Sequence, residues 1–324
     1  MSYTQERTPA AVVALQFKPS RLNGLSRDLM LSHYENNYGG ALRRLNLLER
    51  ELVELDPSRA PGFMLNGLKR EALIAANSVI LHELYFDNIG GADEPQGEIA
   101  SALARDFGSV KAWRDEFMAM GRALAGGSGW VLLTYSARFQ RLMNQWAADH
   151  THLLAEGIPI LALDMYEHSY HLDFGANAAA YIEAFMKNIH WERVQARYRR
   201  AISGAPMAGP TAPSSELPSI SVEDLRLILE KGDQQVLILD VRLPDDFALS
   251  KDMIPSAQYR NPEQLEEWKR ELPHDRPVFA YCAYGFEVCQ GVTSSLRGSG
   301  IDVHFVRGGI AAWHAMGGSV ASRP

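Results

Sequence analysis

The stretch "SGAPMAGPTAPSSELPS", residues 203 to 219, constrains the fold of this chain more than any other. It is rich in Pro, Gly, Ser and Ala, has neither a helical nor an alternating period, and carries one charge, Glu216. A segment so composed cannot build a core and reads as a semi-extended flexible linker. The chain therefore divides into residues 1–202, the linker 203–219 and residues 220–324. At 324 residues and 46% hydrophobic composition, two separate cores fit better than one.

The two parts differ in pattern. Before the linker, apolar residues recur at helical spacing over about 25–55, 61–89 and 96–125, with Gly-rich breaks between. "GWVLLTY" and "RFQRLMNQWA" then read as strands joined at Ser136 and Ala137, "GIPILALD" as a third strand, and "NAAAYIEAFMKNIHWERVQARYRRA" as one closing helix. This predicts an α+β domain, a helical hairpin followed by a mixed α/β part with a three-stranded antiparallel sheet. After the linker, Ser221 can cap a helix over "VEDLRLILEKG", and "QVLILDV", "PVFAYC" and "VHFV" read as buried strands with helices between. Alternating helices and apolar strands predict a small α/β domain with a parallel sheet.

Net charge is −7, which excludes a basic nucleic-acid footprint and favours small molecules or proteins as partners. No apolar stretch approaches the roughly 20 residues of a membrane span, and "MSYTQERTPA" lacks the pattern of a signal peptide. The expected location is the cytoplasm, with no membrane partner. The two cysteines, Cys282 and Cys289, are no disulfide framework, and the first domain has none.

That first domain offers His and carboxylate groups instead, the donors that suit Mn or Fe better than soft thiolates do. His33 shares a helical face with Leu29, Asn37 and Ala41, and His82 sits in the apolar "NSVILHELYF". A lone histidine in such a place is more often a satisfied core residue than a ligand. However, His33 and His82 lie on consecutive long helices, and "LDMYEH" adds Asp164 at a strand end and His168 just beyond. Buried ionisable groups need partners, and one cation would satisfy all four.

Residues about 15–200 resemble the iron/manganese superoxide dismutases. The match rests on His33, "HELYF" with His82, "RDFGSVKAWRDEF", "GSGWVLL", "LDMYEHSY" and "NIHWERV", in the family's order. The resemblance implies that His33, His82, Asp164 and His168 bind one Mn or Fe ion per chain, with solvent as a fifth ligand and superoxide as substrate. It implies a homodimer or higher homo-oligomer in which Glu167 reaches a ligand histidine of the other subunit, with Tyr170 nearby. By spacing back from Asp164, His150 of "ADHTH" takes the place of the group that bonds the bound solvent, in preference to Gln145. The sequence departs from the family where a His four residues and a Tyr eight residues after the first ligand are replaced by Asn37 and Ala41, and where a Trp becomes Tyr166. The altered outer wall leaves open an alternative, a metal-binding redox or sulfur sensor or carrier with little turnover. The four ligands do not distinguish iron from manganese.

Cys282 ends "PVFAYC" and precedes "AYGFEV", which bends into a helix. Backbone N–H groups and a helix N-terminus there would lower its pKa. A buried structural cysteine is an equal reading of that feature alone. Cys289, seven residues on, is expected in the core, with helical rise carrying it about 10 Å from Cys282. Residues about 216–324 resemble a rhodanese-like domain, through "LILDVRLPDDFALSKDMIPSAQ", "YCAYGFE" and "VRGGIAAWHAMG". The resemblance implies that Cys282 accepts sulfane sulfur as a persulfide and that Asp240 and Arg242 are structural near the loop. The loop usually offers a base for thiosulfate; here Glu287 stands there, with Tyr284 and Phe286, so a different sulfane-sulfur donor, a protein thiol partner or a sensing role is expected.

Overall fold

A computed structural model of the protein describes residues 8–207, 209, 217–232 and 236–323, so the middle of the expected linker, residues 208 and 210–216, lies outside the described residues. The chain forms two compact units, and their division departs from simple succession: the second unit takes Ala11–Leu15 as well as the residues after Thr211.

After a 3-10 turn (Pro19–Arg21), the first unit forms α1 (Arg27–Ser32), capped by Ser26 Oγ, which accepts the Leu29 N–H at 3.0 Å. The helix then widens into a π-helical turn over His33–Tyr38 before continuing as α2 (Gly39–Glu54). Next comes the long α3 (Gly62–Asn88), packed on α2. The expected helical stretch 96–125 is two helices, α4 (Gly97–Phe107) and α5 (Val110–Ala123). Gly108, at φ 85°, takes the left-handed conformation that ends α4. Ser109 Oγ then caps α5 by accepting the Ala112 N–H at 3.0 Å.

Three antiparallel strands follow, β1 (Trp130–Ser136), β2 (Arg141–Ala147) and β3 (Gly157–Asp164), with β1 central and wholly buried. The joint between the first two is later than the sequence suggests. β2 starts at Arg141, because Ser136 Oγ accepts the Phe139 N–H at 3.1 Å and Gln140 turns at φ 50°. Past β3 come a 3-10 turn (Glu167–Ser169) and the single-turn α6 (His171–Phe174). The closing helix is also two, α7 (Ala178–Met186) and α8 (Trp191–Ser203). The break occurs where Ile189 bridges to Ile89 and Asn188 donates to the Asn23 and Ala184 carbonyls, both at 2.8 Å.

The second unit contains β4 (Ser219–Ile220), α9 (Val222–Glu230), β5 (Leu237–Asp240), α10 (Pro244–Leu249), β6 (Asp252–Met253), β7 (Gln258–Tyr259) and α11 (Leu265–Trp268). It continues with β8 (Val278–Tyr281), α12 (Glu287–Gly298), β9 (Val303–Val306), α13 (Gly309–Ala315) and β10 (Ala321–Ser322). Five strands make a parallel sheet in the order β4-β9-β8-β5-β7, while β6 and β10 form a small antiparallel pair. Period-two alternation along β8 sends Val278 and Ala280 into one core and Phe279 and Tyr281 into the other. Ser221 caps α9 as its sequence predicts, accepting the Asp224 N–H at 3.0 Å. Val12 packs on the second of these cores, and its N–H donates to Glu223 Oε1 at 2.8 Å. Among the described residues, no helix is long and apolar enough to cross a membrane.

Candidate functional site

Four elements of the first unit meet at one point. His33 opens the π-helical turn, His82 lies near the end of α3, Asp164 is the last residue of β3, and His168 sits in the 3-10 turn that follows. One donor atom from each lies within 4.8 Å of all the others. Around Asp164 Oδ2, Nε2 of His33 is at 3.1 Å, Nε2 of His168 at 3.2 Å and Nε2 of His82 at 3.6 Å. Donors held about 2.1 Å from one ion at angles between about 90 and 120° would stand about 3.0–3.6 Å apart. His33, His82 and Asp164 are buried, and the His168 side chain is 25% exposed.

His82 and Asp164 are oriented from behind. His82 Nδ1 bonds the Ser78 carbonyl at 2.7 Å, so Nδ1 carries the proton and Nε2 bears a lone pair. That Nε2 is buried without a hydrogen-bond partner and faces a carboxylate oxygen, a repulsive arrangement unless a cation lies between. Asp164 Oδ1 accepts the Tyr166 N–H at 2.8 Å, which reserves Oδ2 for the site. The Asp164 carbonyl accepts from Tyr181 Oη at 2.8 Å and Ser169 Oγ at 2.9 Å, pinning the strand end.

Protonation states agree with metal binding. Burial, with the nearby His33 charge, pushes His82 down to about 3, and burial lowers His33 as well. Burial by itself would raise Asp164, but the charge of His168 and hydrogen bonds from His168 and His33 hold its carboxyl far below the usual range. Neutral His33 and His82 beside an ionised Asp164 are the states a cation needs.

Aromatic rings wall the site: Tyr85 and Phe86 lie 4.9 and 5.0 Å from His33, and Trp130 lies 5.3 Å edge-on to His82. His150 comes 6.2 Å from the His82 ring, just beyond the end of β2, and stacks on Tyr166 at 4.9 Å. Its Nδ1 accepts from Trp130 Nε1 at 3.0 Å, so the neutral ring keeps its proton on Nε2. Gln145 is engaged elsewhere, with Thr134 and the His152 carbonyl. Glu167 is exposed in the turn between the two ligands, and Tyr170 is buried against Tyr181 at 5.3 Å. Asn37 and Ala41 are half-buried, whereas Tyr34 and Tyr38 are fully buried on Phe86. The π turn adds a residue per hydrogen-bonded loop and so shifts which residues after His33 face inward.

A family model described as iron/manganese superoxide dismutases, C-terminal domain, matches residues 95–197, and one described as rhodanese-like domain matches 221–316. A protein named superoxide dismutase [Fe] from Cupriavidus metallidurans is 62% identical over 185 residues, 57% of this chain and 94% of that relative. The chain belongs to the iron/manganese superoxide dismutase family. It is an enzyme of that type, with a rhodanese-like second unit. A superoxide dismutase [Mn] 2 from Haloferax volcanii is 32% identical over 205 residues, 62% of this chain and 98% of its own. A superoxide dismutase [Fe] from Aquifex pyrophilus is 32% identical over 193 residues, 57% of this chain and 89% of its own. Relatives named for each metal accord with an iron or manganese cofactor in this superoxide dismutase.

In the rhodanese-like unit, Cys282 follows β8 at the mouth of the loop that leads into α12. Gly285, at φ 81°, turns its N–H onto Cys282 Sγ at 3.3 Å. A Cβ on Gly309 would lie 2.2 Å from the Cys282 carbonyl; that close approach lets the Ile310 N–H reach the same carbonyl at 3.0 Å. The Gly-Gly of "VRGGIAAW" is thus a device for seating α13 against the loop. Cys289 lies in the core as expected, but its Sγ is 3.2 Å from that of Cys282, not about 10 Å, since α12 begins only at Glu287 and the loop folds back first. The Cys289 hydrogen bond and the loop N–H groups bring Cys282 down to about 6 against burial, while burial pushes Cys289 well up. Asp240 and Arg242 are both buried and pair through Oδ1 and Nε at 2.9 Å; Tyr281 Oη donates to Asp240 at 2.8 Å.

Sequence reasoning left Ser78, Trp130 and Tyr181 without roles. Ser78 precedes His82 by one helical turn, a spacing that signals a ring held by its own helix. The Tyr181 contact spans 17 residues and gives no local signal.

Proposed function

We propose that this superoxide dismutase works at one iron or manganese ion per chain held by His33, His82, Asp164 and His168. The observation that carries the reading is the unpartnered Nε2 of His82 facing Asp164 Oδ2 at 3.6 Å. The chemistry a bound ion supplies is a one-electron couple that oxidises one superoxide and reduces the next. Trp130 holds His150 so that Nε2–H is the only donor left to the ring, and that proton can be offered to solvent or superoxide in the site. The aromatic wall of Tyr85, Phe86 and Trp130 keeps bulk water off the ligands and lets the hydrogen bonds behind them set the potential.

Glu167 is read as a contact to a ligand histidine of the partner subunit, supported by its exposure beside the part-exposed His168. Such a dimer would cover the one ligand that a single chain leaves open. In the second unit, Cys282 is read as a sulfane-sulfur acceptor, supported by its N–H cradle and its thiolate at neutral pH. Exposed Glu287 at the loop rim disfavours dianionic donors such as thiosulfate.

The test uses the full chain: metal content, superoxide consumption and sedimentation of wild type, His82→Ala, Asp164→Asn and Glu167→Ala. The expected result is stoichiometric iron or manganese with fast consumption in wild type, loss of both in the two ligand variants, and a shift toward monomer in the third. Full metal in Asp164→Asn would overturn the ligand set.

A further inference from the structure

Cys289 is completely buried, and its sulfur has two neighbours that matter: Cys282 Sγ at 3.2 Å and the Phe286 carbonyl at 3.5 Å. No reagent in solution meets it directly. The electrophile it can meet is whatever sits on Cys282, which is 5% exposed at the loop mouth. A disulfide bond is about 2.05 Å long, so closing this pair moves the sulfurs by only about 1 Å. Cys289 is the third residue of α12, in the first turn, where no preceding helical turn holds it.

We propose that Cys289 is the resolving thiol of Cys282: it expels a sulfane sulfur from Cys282 as hydrosulfide and leaves a Cys282–Cys289 disulfide. The proposal rests on the reading of Cys282 as a sulfane-sulfur acceptor. In the loading step the Cys282 thiolate attacks the sulfane sulfur of a donor, and the donor's bond to that sulfur breaks with the electron pair leaving on the donor residue. In the resolving step the Cys289 sulfur bonds to Cys282 Sγ while the bond from Sγ to the sulfane sulfur breaks. The electron pair leaves with the sulfane sulfur, which takes the proton from Cys289 and departs as hydrosulfide. The two cysteines are oxidised by two electrons, and the sulfane sulfur is reduced by two. A dithiol reductant then restores both thiols and becomes a disulfide itself.

Charge placement assists the sequence. In the resting pair the Cys289 thiol donates to the Cys282 thiolate. Once a persulfide forms, the negative charge moves outward to the terminal sulfur, and the proton of Cys289 has a new base to go to. Tyr284 and Phe286, stacked at 6.0 Å, line the same loop and suit an aromatic donor of low charge.

The experiment uses full-length protein, reduced, desalted and kept without oxygen, with benzenethiosulfonate as donor, whose leaving group is benzenesulfinate. Hydrosulfide and intact mass are read together. Wild type is expected to release about one hydrosulfide per chain and to become lighter by two hydrogens. Cys289→Ser and Cys289→Ala are expected to become heavier by one sulfur and to release less than about a tenth as much hydrosulfide. Wild type that stays loaded with sulfur and releases no hydrosulfide overturns the resolving role and leaves the acceptor reading standing. That arm depends on no variant folding. If neither wild type nor the Cys289 variants gain or release sulfur, the acceptor reading fails, and the resolving role with it.

Discussion

The two candidate sites of this superoxide dismutase are assembled in opposite ways. The metal centre draws on residues as far apart as His33 and Asp164, 131 positions, whereas the thiol pair lies within one loop and the first turn of one helix. In the first, no short segment carries the chemistry, and the donors meet only when the helices and the sheet have packed. In the second, backbone N–H groups and two sulfurs are placed by local turns, and the sheet beneath provides the floor. An assembled site depends on many elements at once, while the local one depends on one loop, although both of its sulfurs belong to the core of the second unit.

The contrast can be broken most sharply from the floor of the local site. Arg242→Leu leaves the Asp240 carboxylate buried without its cation, so the second unit should lose about 3–5 kcal/mol. Denaturant titration followed by Trp268 and Trp313 fluorescence against metal retention would show this; a simultaneous loss of metal would mean that the two sites are not independent. At the metal centre, Trp130→Phe removes the donor to His150 Nδ1 and should lower superoxide consumption about 10–100-fold with metal content kept. Unchanged consumption would remove His150 from the reaction.

A smaller effect is expected between about pH 8.5 and about pH 6. Folding favours the Cys282 thiolate, with a pKa of about 6 against about 8.5 for a free thiol. The stabilisation from that preference is complete above the unfolded value, declines as pH falls, and is gone below about 6. Alkylation of Cys282 should follow the same ionisation, with Cys289→Ala moving the midpoint upward; a midpoint near that of a free thiol in wild type would contradict the loop geometry. The smallest change is expected for Ser78→Ala. The bond that orients His82 uses the backbone carbonyl, so metal content should stay within about twofold. A larger loss would transfer the orienting role to the hydroxyl, 3.4 Å from Nδ1.

Legibility in the sequence ran opposite to distance. The scattered candidate ligands His33, His82, Asp164 and His168 were read together because each sits in a motif with a fixed order, and the structure brings their donor atoms within 4.8 Å of one another. The neighbouring cysteines were misjudged, because helical rise was applied from Cys282 although the helix starts five residues later, at Glu287. The gateway positions were compared by order along the chain, which says nothing of which way their side chains face. The π turn at His33–Tyr38 had no signal in the apolar period, and it buries Tyr38, which donates to Glu83 at 3.0 Å. The parallel sheet, the Ser221 cap and β3 were legible from apolar runs and capping chemistry. The breaks at Gly108 and Asn188 were not, since both interrupt apolar periods that continue on the far side.

The membership of Ala11–Leu15 in the second unit bears on how the chain is made. On a ribosome these residues emerge ahead of the first unit's helices, and Glu223, which Val12 joins, follows 211 positions later. The first unit has its entire sequence outside before its neighbour exists, so it can fold while synthesis continues. The second cannot be finished by its own contiguous stretch. Excising either half at the linker therefore separates Val12 from the core it covers.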